Sequence, residues 1–390
     1  MALKSGVYLQ LAPVLFGSGT IKELGNKCKE LGWKKVMVVT DQGVAKVGHD
    51  AKAANILKSA GLEVVIWANA LPEVPDYNVL EGAAFARAEK VDGLVGVGGG
   101  SSLDCCKCVA VVAPNGDGIV DDVIAYLTGQ KKYAVPPLPQ ILIPTTAGTG
   151  SECTFVAVIT HKKLNQKIGL PSHSSFNIID PELTLGTPNN ITAACGLDAF
   201  SHAAEALTEV KNTVHSDLLA YEAMRLVAAN LRKACSNPMD LEAREYLAVG
   251  SNFAGISFSE SGVHMGHSIA HALGFHHHIP HGVACALVTP PTIEFAATHY
   301  PEKIKAIAGS LGIPAPSGSP AQIGKVVADE VRKLMKDVDI PSVGKLNVSR
   351  EQLLDLAQYV DGEPLCTTFA GPVTRAEIDK ALASMYDDYK

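Results

Sequence analysis

No apolar run in this 390-residue chain reaches the ~18–20 residues that a membrane-spanning helix needs. The sequence therefore gives no reason to expect a membrane protein. The first residues, MALKSGVYLQLAPVLFGSG, hold one early Lys but no long apolar stretch followed by a small-residue cleavage site, so no signal peptide is expected. Basic charge is also scarce. Lys and Arg number 33 against 40 Asp and Glu, a net charge of −7, which argues against a nucleic-acid or anionic-membrane surface. Charged residues are only 19% and hydrophobic residues 47%, a balance that supplies a large core and excludes global disorder. A disulfide framework is lacking as well. Nine cysteines are an odd count, scattered through apolar surroundings, which fits reduced thiols in a cytoplasm. Cys105 and Cys108 form a C-x-x-C, but it sits just inside a helix after a glycine turn, where small buried residues pack.

Glycine and histidine are present in number. Nine of the 13 histidines fall between His202 and His281 inclusive. The length suits about two or three domains. In the first half, short apolar runs (36–40, 62–67, 93–97, 140–144, 155–160) alternate with helical spacing at 20–31, 51–60 and 77–89. That alternation predicts an α/β domain with a parallel sheet covered by helices on both faces. After about Pro188 the pattern becomes helical, with helices expected over 195–208, 216–234, 241–257, 264–274, 320–336 and 350–359. The expected division is an α/β dinucleotide-binding domain over 1–185 and an all-helical metal and catalytic domain over 186–390.

Three segments carry chemistry. Gly98-Gly99-Gly100-Ser101-Ser102-Leu103-Asp104 follows a strand and opens a helix. Glycines admit a pyrophosphate to the backbone, and the helix start offers free N–H groups and the positive end of the dipole. A standard dinucleotide fingerprint puts its acidic residue ~20 positions after the glycines. Here the candidate, Asp41, lies before them, so a plain Rossmann assignment fails in detail; Asp41 reads equally as a turn residue. Next, Pro144-Thr145-Thr146-Ala147-Gly148-Thr149-Gly150 sets hydroxyls and glycines after a strand, suited to a phosphate or an amide, or simply to a polar turn. Third, Asp198 and His202 stand at i and i+4 on one helix face. His264, His267 and His271 follow at i, i+3 and i+7, with His281 on a turn. One carboxylate and three imidazoles suit a divalent ion such as Fe²⁺ or Zn²⁺. Spacing alone does not choose among His264, His267 and His271.

With GGGSSLDCCK (98–107), IPTTAGTGSE (143–152), GLDAFSHAAEA (196–206) and HSIAHALGFHHHIPHGVACA (267–286) in this order, the chain resembles the iron-containing (group III) alcohol dehydrogenase family over nearly its whole length. The resemblance implies a nucleotide-binding α/β domain and an all-helical domain, related in fold to dehydroquinate synthase. It implies metal ligation by Asp198, His202, His267 and His281, so it selects His267. It implies Fe²⁺ as the ion, with Zn²⁺ or Mn²⁺ as alternatives, and NAD as the cofactor. His271 matches a family histidine near the metal; it and His267 are the catalytic candidates, His271 as proton relay or as a packing residue. Asp41 is implied at the adenosine ribose, Gly99, Gly100 and Ser101 at the pyrophosphate, and Asp104 closing that loop. Thr145, Thr146 and Thr149 are implied near the phosphates and nicotinamide, Lys167 at a ribose, and Asn69 in the adjoining loop. A homodimer or larger homo-oligomer is likewise a family implication.

Two segments depart from the family pattern. Thr367-Thr368-Phe369-Ala370-Gly371-Pro372 stands where many members carry Asn-Pro-Arg, and His276-His277-His278 stands where aromatic and polar residues are usual. The expected reaction is hydride transfer between NAD(H) and a small aldehyde or primary alcohol. His277 and His278 suggest a substrate with an anionic tail, such as sulfoacetaldehyde. Neutral substrates (lactaldehyde, 1,3-propanediol) are the alternative within the family. A dehydroquinate-synthase-like lyase is the alternative outside it, although the basic array for a phosphorylated substrate is lacking. A nucleotide-binding regulatory module would have no use for four metal ligands.

Overall fold

The computed structural model describes Tyr8 and residues 11–164, 166–369 and 371–390. Ala370, within the departing 367–372 segment, lies outside the described residues. By contacts the chain divides into two units, one of Gln10–Thr146 and Gly150–Thr184, the other built from Leu185–Lys390 with Ala147–Thr149.

The first unit is built on a six-stranded sheet of β1 (Val14–Phe16), β2 (Lys35–Val39), β3 (Glu63–Trp67), β4 (Gly93–Gly98), β5 (Gln140–Pro144) and β8 (Phe176–Ile179). The order is β1-β8-β5-β4-β2-β3 and every pairing is parallel. Alternation along β2 sends Met37 and Val39 to one face and Val36 and Val38 to the other. Helices cover both faces, so both sets are buried and the strand reads as a continuous apolar run. Helices α1 (Leu24–Glu30) and α3 (His49–Ser59) supply the Leu24 and Leu57 side of this core. Helices α4 (Asp76–Glu89) and α5 (Gly100–Asn115) supply the Val79 and Val109 side. Three short helices, α2 (Gln42–Lys46), α6 (Gly118–Asp121) and α7 (Val123–Leu127), complete this part.

The segment 155–160 does form a strand, β6 (Val156–His161), but not in the main sheet. It pairs antiparallel with β7 (Gln166–Pro171) as a separate two-stranded sheet. Its apolar content suggested a buried parallel strand; the hairpin partner follows only four residues later. Strands β1 and β8, short and irregular in sequence, were not expected.

The second unit is helical: α8 (Asn189–Ala206), α9 (Val214–Ser236), α10 (Leu241–Ser261), α11 (Met265–His277), α12 (His281–Ala297), α13 (Pro301–Ser310), α14 (Pro320–Asp337), α15 (Arg350–Asp355), α16 (Ala357–Val360) and α17 (Arg375–Asp387). α8 is nearly all buried and packs against α9, α10 and α12. A helix apolar on every side is the mark of a central core element. α12 was not foreseen. Pro290 and Pro291 sit inside it, and a proline pair in an apolar run argues against a helix. The thiols of Cys105, Cys106 and Cys108 all lie in the α5 core, where burial pushes their pKa values well up. That environment makes them packing groups, inert as nucleophiles or ligands.

Candidate metal centre and cofactor site

The parallel sheet brings the cofactor candidates to one end. β2, β4 and β5 are neighbours, and Asp41, Gly99 and Thr145 each follow the carboxyl end of one of them. Open α/β sheets bind ligands at that end. The Thr145 N–H donates to the Gly98 carbonyl (2.9 Å), tying the two loops together. Gly98 has φ +154, and a Cβ there would come within 2.6 Å of Ser102, so the turn into α5 requires glycine. Gly99 caps α5 without a side-chain hydrogen bond, which leaves the N–H groups of Gly100 and Ser101 in the first turn for an anion. Thr146 lies beside Gly99: its Oγ1 would be 3.3 Å from a Cβ at that glycine.

Asp41 has two occupations. Its Oδ1 caps α2, accepting from Gly43 N (2.7 Å) and Val44 N (3.0 Å), and its Oδ2 accepts from Ser102 Oγ (2.6 Å). A carboxylate has about four lone-pair positions, so capacity for ribose hydroxyls remains. The turn and binding readings are thus compatible. Asp104 accepts from Ser151 Oγ (2.5 Å) and Val158 N (3.0 Å). The fully buried Lys107, which sequence reasoning did not single out, donates to Ser151 O (2.9 Å) and Thr154 Oγ1 (2.8 Å) and lies 3.4 Å from Asp104. These bonds lock the first half of α5 to β6 and to the segment before it. Lys167 is paired with Glu73 rather than standing free. Asn69 is exposed, and its carbonyl accepts from Asn78 (3.0 Å). Thr149 groups with the helical unit.

In the helical unit, donors converge from three helices. Asp198 and His202 come from α8, His267 from α11 and His281 from the first turn of α12; His281 therefore opens a helix rather than sitting on a turn. His264 is the cap of α11, outside the helix, with φ −135 and ψ −135, so the expected i, i+3, i+7 row of three does not form. His264 instead shares a hydrogen bond with Thr208 Oγ1 (2.8 Å).

One donor atom each from Asp198, His267, His281 and Cys285 lies within 4.8 Å of all the others. His281 Nε2 is 3.6 Å from Asp198 Oδ1. His202 falls outside this tightest set, but its Nδ1 is 3.9 Å from Asp198 Oδ1 and its ring stacks on His267 with centroids 4.5 Å apart. His271 is near, its ring centroid 5.6 Å from that of His281. Cys285 is the residue sequence reasoning missed. Its one signal was the i, i+4 relation to His281, hidden in the apolar GVACA run.

The donors fit a cation. Asp198 Oδ1 and His202 Nδ1 are buried and have no hydrogen-bond partner among the described residues. Leaving a buried carboxylate oxygen unpaired is costly, and a cation removes that cost. Burial also holds His202 down to about 4, so its ring is neutral and offers a lone pair near pH 7. Glu205 prepares His267. Burial works to raise the Glu205 carboxyl, but His267 and His264 outweigh it and draw it down to about 2. The ionised Oε1 only accepts, so His267 Nδ1 carries the proton of their 2.6 Å bond and Nε2 is left as the donor atom. Gly266 makes this approach possible, because a Cβ there would lie 2.5 Å from Glu205 Oε1.

The triplet at the end of α11 splits. The His276 ring stacks on Tyr359 (3.9 Å), His278 is exposed with φ 55, and His277 Nε2 is buried with no hydrogen-bond partner among the described residues.

Residues 12–181 match the family model described as iron-containing alcohol dehydrogenase, and residues 192–386 match that of its C-terminal region. The NAD-dependent methanol dehydrogenase of Bacillus methanolicus is 34% identical over 357 residues, covering 90% of this chain and 92% of that protein. The sulfoacetaldehyde reductase of Bilophila wadsworthia is 35% identical over 353 residues, covering 89% and 90%. Among solved structures, a 1,3-propanediol oxidoreductase superposes with TM-score 0.91 at 32% identity, covering 98% of this chain and all of that one. The chain therefore belongs to the iron-containing alcohol dehydrogenase family, oxidoreductases that use iron and a nicotinamide cofactor to interconvert alcohols and aldehydes.

Proposed function

We propose that this protein reduces a small aldehyde to a primary alcohol with NADH, reversibly, at a metal centre formed by Asp198, His202, His267 and His281. The observation that carries the reading is the pair of buried donors, Asp198 Oδ1 and His202 Nδ1, that have no hydrogen-bond partner among the described residues and lie beside His267 and His281. When bound, a divalent ion supplies Lewis acidity that stabilises negative charge developing on the carbonyl oxygen. The protein does the rest. Asp198 contributes the anionic donor, and Glu205 fixes the His267 ring in the tautomer that presents Nε2. His271, half-buried beside His281, relays the alcohol proton; if His271→Ala left the rate and its pH profile unaltered, the relay would be excluded.

For the cofactor, Gly99, Gly100 and Ser101 receive the pyrophosphate on backbone N–H groups, and Asp104 holds their loop in place. Thr145, Thr146 and Thr149 provide hydroxyls toward the phosphates and nicotinamide. Asp41 accepts from the adenosine ribose and repels a 2′-phosphate, which favours NAD over NADP. Asn69 and Lys167 line the ribose side, Lys167 once it exchanges Glu73 for a hydroxyl. The domain division is 1–185 for cofactor and 186–390 for metal and catalysis. A cytoplasmic setting is supported by nine free cysteines, and a homodimer or larger homo-oligomer by the family resemblance.

The substrate's other end is read from His277 and His278. The buried His277 Nε2, with no hydrogen-bond partner among the described residues, favours an aldehyde with an anionic tail, and a sulfoacetaldehyde reductase stands among the relatives. The experiment is NADH oxidation by the metal-loaded protein, followed by absorbance, with propanal and sulfoacetaldehyde compared. Turnover with a higher kcat/KM for the anion is expected. Equal values would remove the anionic tail, and no turnover with any aldehyde in a broad panel would remove the reaction.

A further inference from the structure

Cys285 lies one turn beyond His281 on α12, and its side chain is fully buried. Its Sγ is 3.6 Å from His281 Nε2 and 3.7 Å from His267 Nε2. It also belongs to the set, with the Asp198 carboxylate, in which all donor atoms lie within 4.8 Å of one another. Nitrogen bound to a cation at about 2.0–2.1 Å and sulfur at about 2.3 Å, at tetrahedral angles, stand about 3.5 Å apart. Both sulfur–nitrogen distances match that spacing. A hydrogen-bonded thiol alone would not require the carboxylate beside it, yet Asp198 Oδ1 is buried and has no hydrogen-bond partner among the described residues.

We propose that Cys285 is a further donor to this centre: its thiolate binds the same cation as Asp198, His202, His267 and His281. The inference rests on the metal-centre reading above and adds a sulfur to it. As the sulfur–metal bond forms, the S–H bond breaks and its proton leaves to solvent, so the metal keeps its oxidation state. A sulfur donor makes the centre softer than carboxylate and imidazole alone. It biases the site toward Zn²⁺ and Co²⁺ over Mn²⁺.

The test is to strip the full-length protein of metal and titrate it with Co²⁺. A near-ultraviolet thiolate-to-cobalt absorption is expected in the wild type, and its loss in Cys285→Ser, which still takes up Co²⁺. Cobalt binding without that absorption in the wild type, or with the absorption retained in Cys285→Ser, would overturn the role of Cys285 while leaving the metal centre intact. Co²⁺ binding undiminished by Asp198→Ala would instead overturn the centre itself. X-ray absorption on the Zn²⁺-loaded wild type gives a readout that does not depend on the folding of a variant: a sulfur neighbour at about 2.3 Å is expected. A shell of nitrogen and oxygen alone would refute the proposal.

Discussion

Glu205 Oε1 and His267 Nδ1 share a buried 2.6 Å hydrogen bond, and the other carboxylate oxygen of Glu205 accepts from the backbone N–H of His264 at 2.7 Å. One carboxylate thus fixes both the ring tautomer of a donor histidine and the entry of α11. Glu205→Gln keeps the shape but weakens the acceptor. Metal affinity should fall roughly 10–100-fold, read by competition with a chelator of known affinity. Unchanged affinity would mean that Glu205 serves only packing.

Loss of a donor is expected to be more severe. Asp198→Ala and His267→Ala should each lower kcat by roughly 10²–10³-fold or more. NADH binding, followed by fluorescence, should be largely kept, because the glycine loop lies in the other unit. Full activity after verified metal removal would contradict the mechanism.

Asp41 separates two effects. Asp41→Asn retains an accepting Oδ1 for the α2 cap but removes the charge, so the kcat/KM ratio should move toward NADP(H) with little change in melting temperature. Asp41→Ala should shift that ratio too and also remove the cap, lowering stability by about 1 kcal/mol in denaturant titration. A strict NADP preference in the wild type would contradict the assigned role.

Glu209 sets a pH dependence of stability. Burial lifts its carboxyl to about 7 from the ordinary 4.5, and neither carboxylate oxygen has a hydrogen-bond partner among the described residues to offset that cost. Between those values the folded state holds a proton that the unfolded state has released. Its contribution is therefore fully present below about 4.5 and is lost as pH rises through about 7. Denaturant midpoints measured from pH 5 to 8 should fall by less in Glu209→Gln than in the wild type.

Much of the candidate site was legible because its parts keep to periodic rules. Asp198 and His202 announce a shared helix face, and Gly98 to Ser101 announce a strand-to-helix turn. What escaped did so for physical reasons. Cys285 sits in a run of small apolar residues, where a thiol looks like packing. α12 escaped because Pro290 and Pro291 interrupt helical logic, though the helix still forms. His264 was placed in helical register with His267, but Gly262 (φ 115) and the bond from His264 N to Glu205 end the chain's helical geometry before Met265. β6 carries the pattern of a core strand, and only its pairing with β7 reveals a hairpin.

Because the donor atoms come from α8, α11 and α12, an ion bound there does more than chemistry: it ties three helices that no disulfide joins. It binds the folded chain and has no assembled site on the unfolded one, so occupancy and thermal stability are linked. At a free-metal concentration a hundredfold above Kd, that linkage is worth about 2.7 kcal/mol. The melting temperature thereby becomes a gauge of metal occupancy, and chelation should loosen the helical core before it touches the parallel sheet.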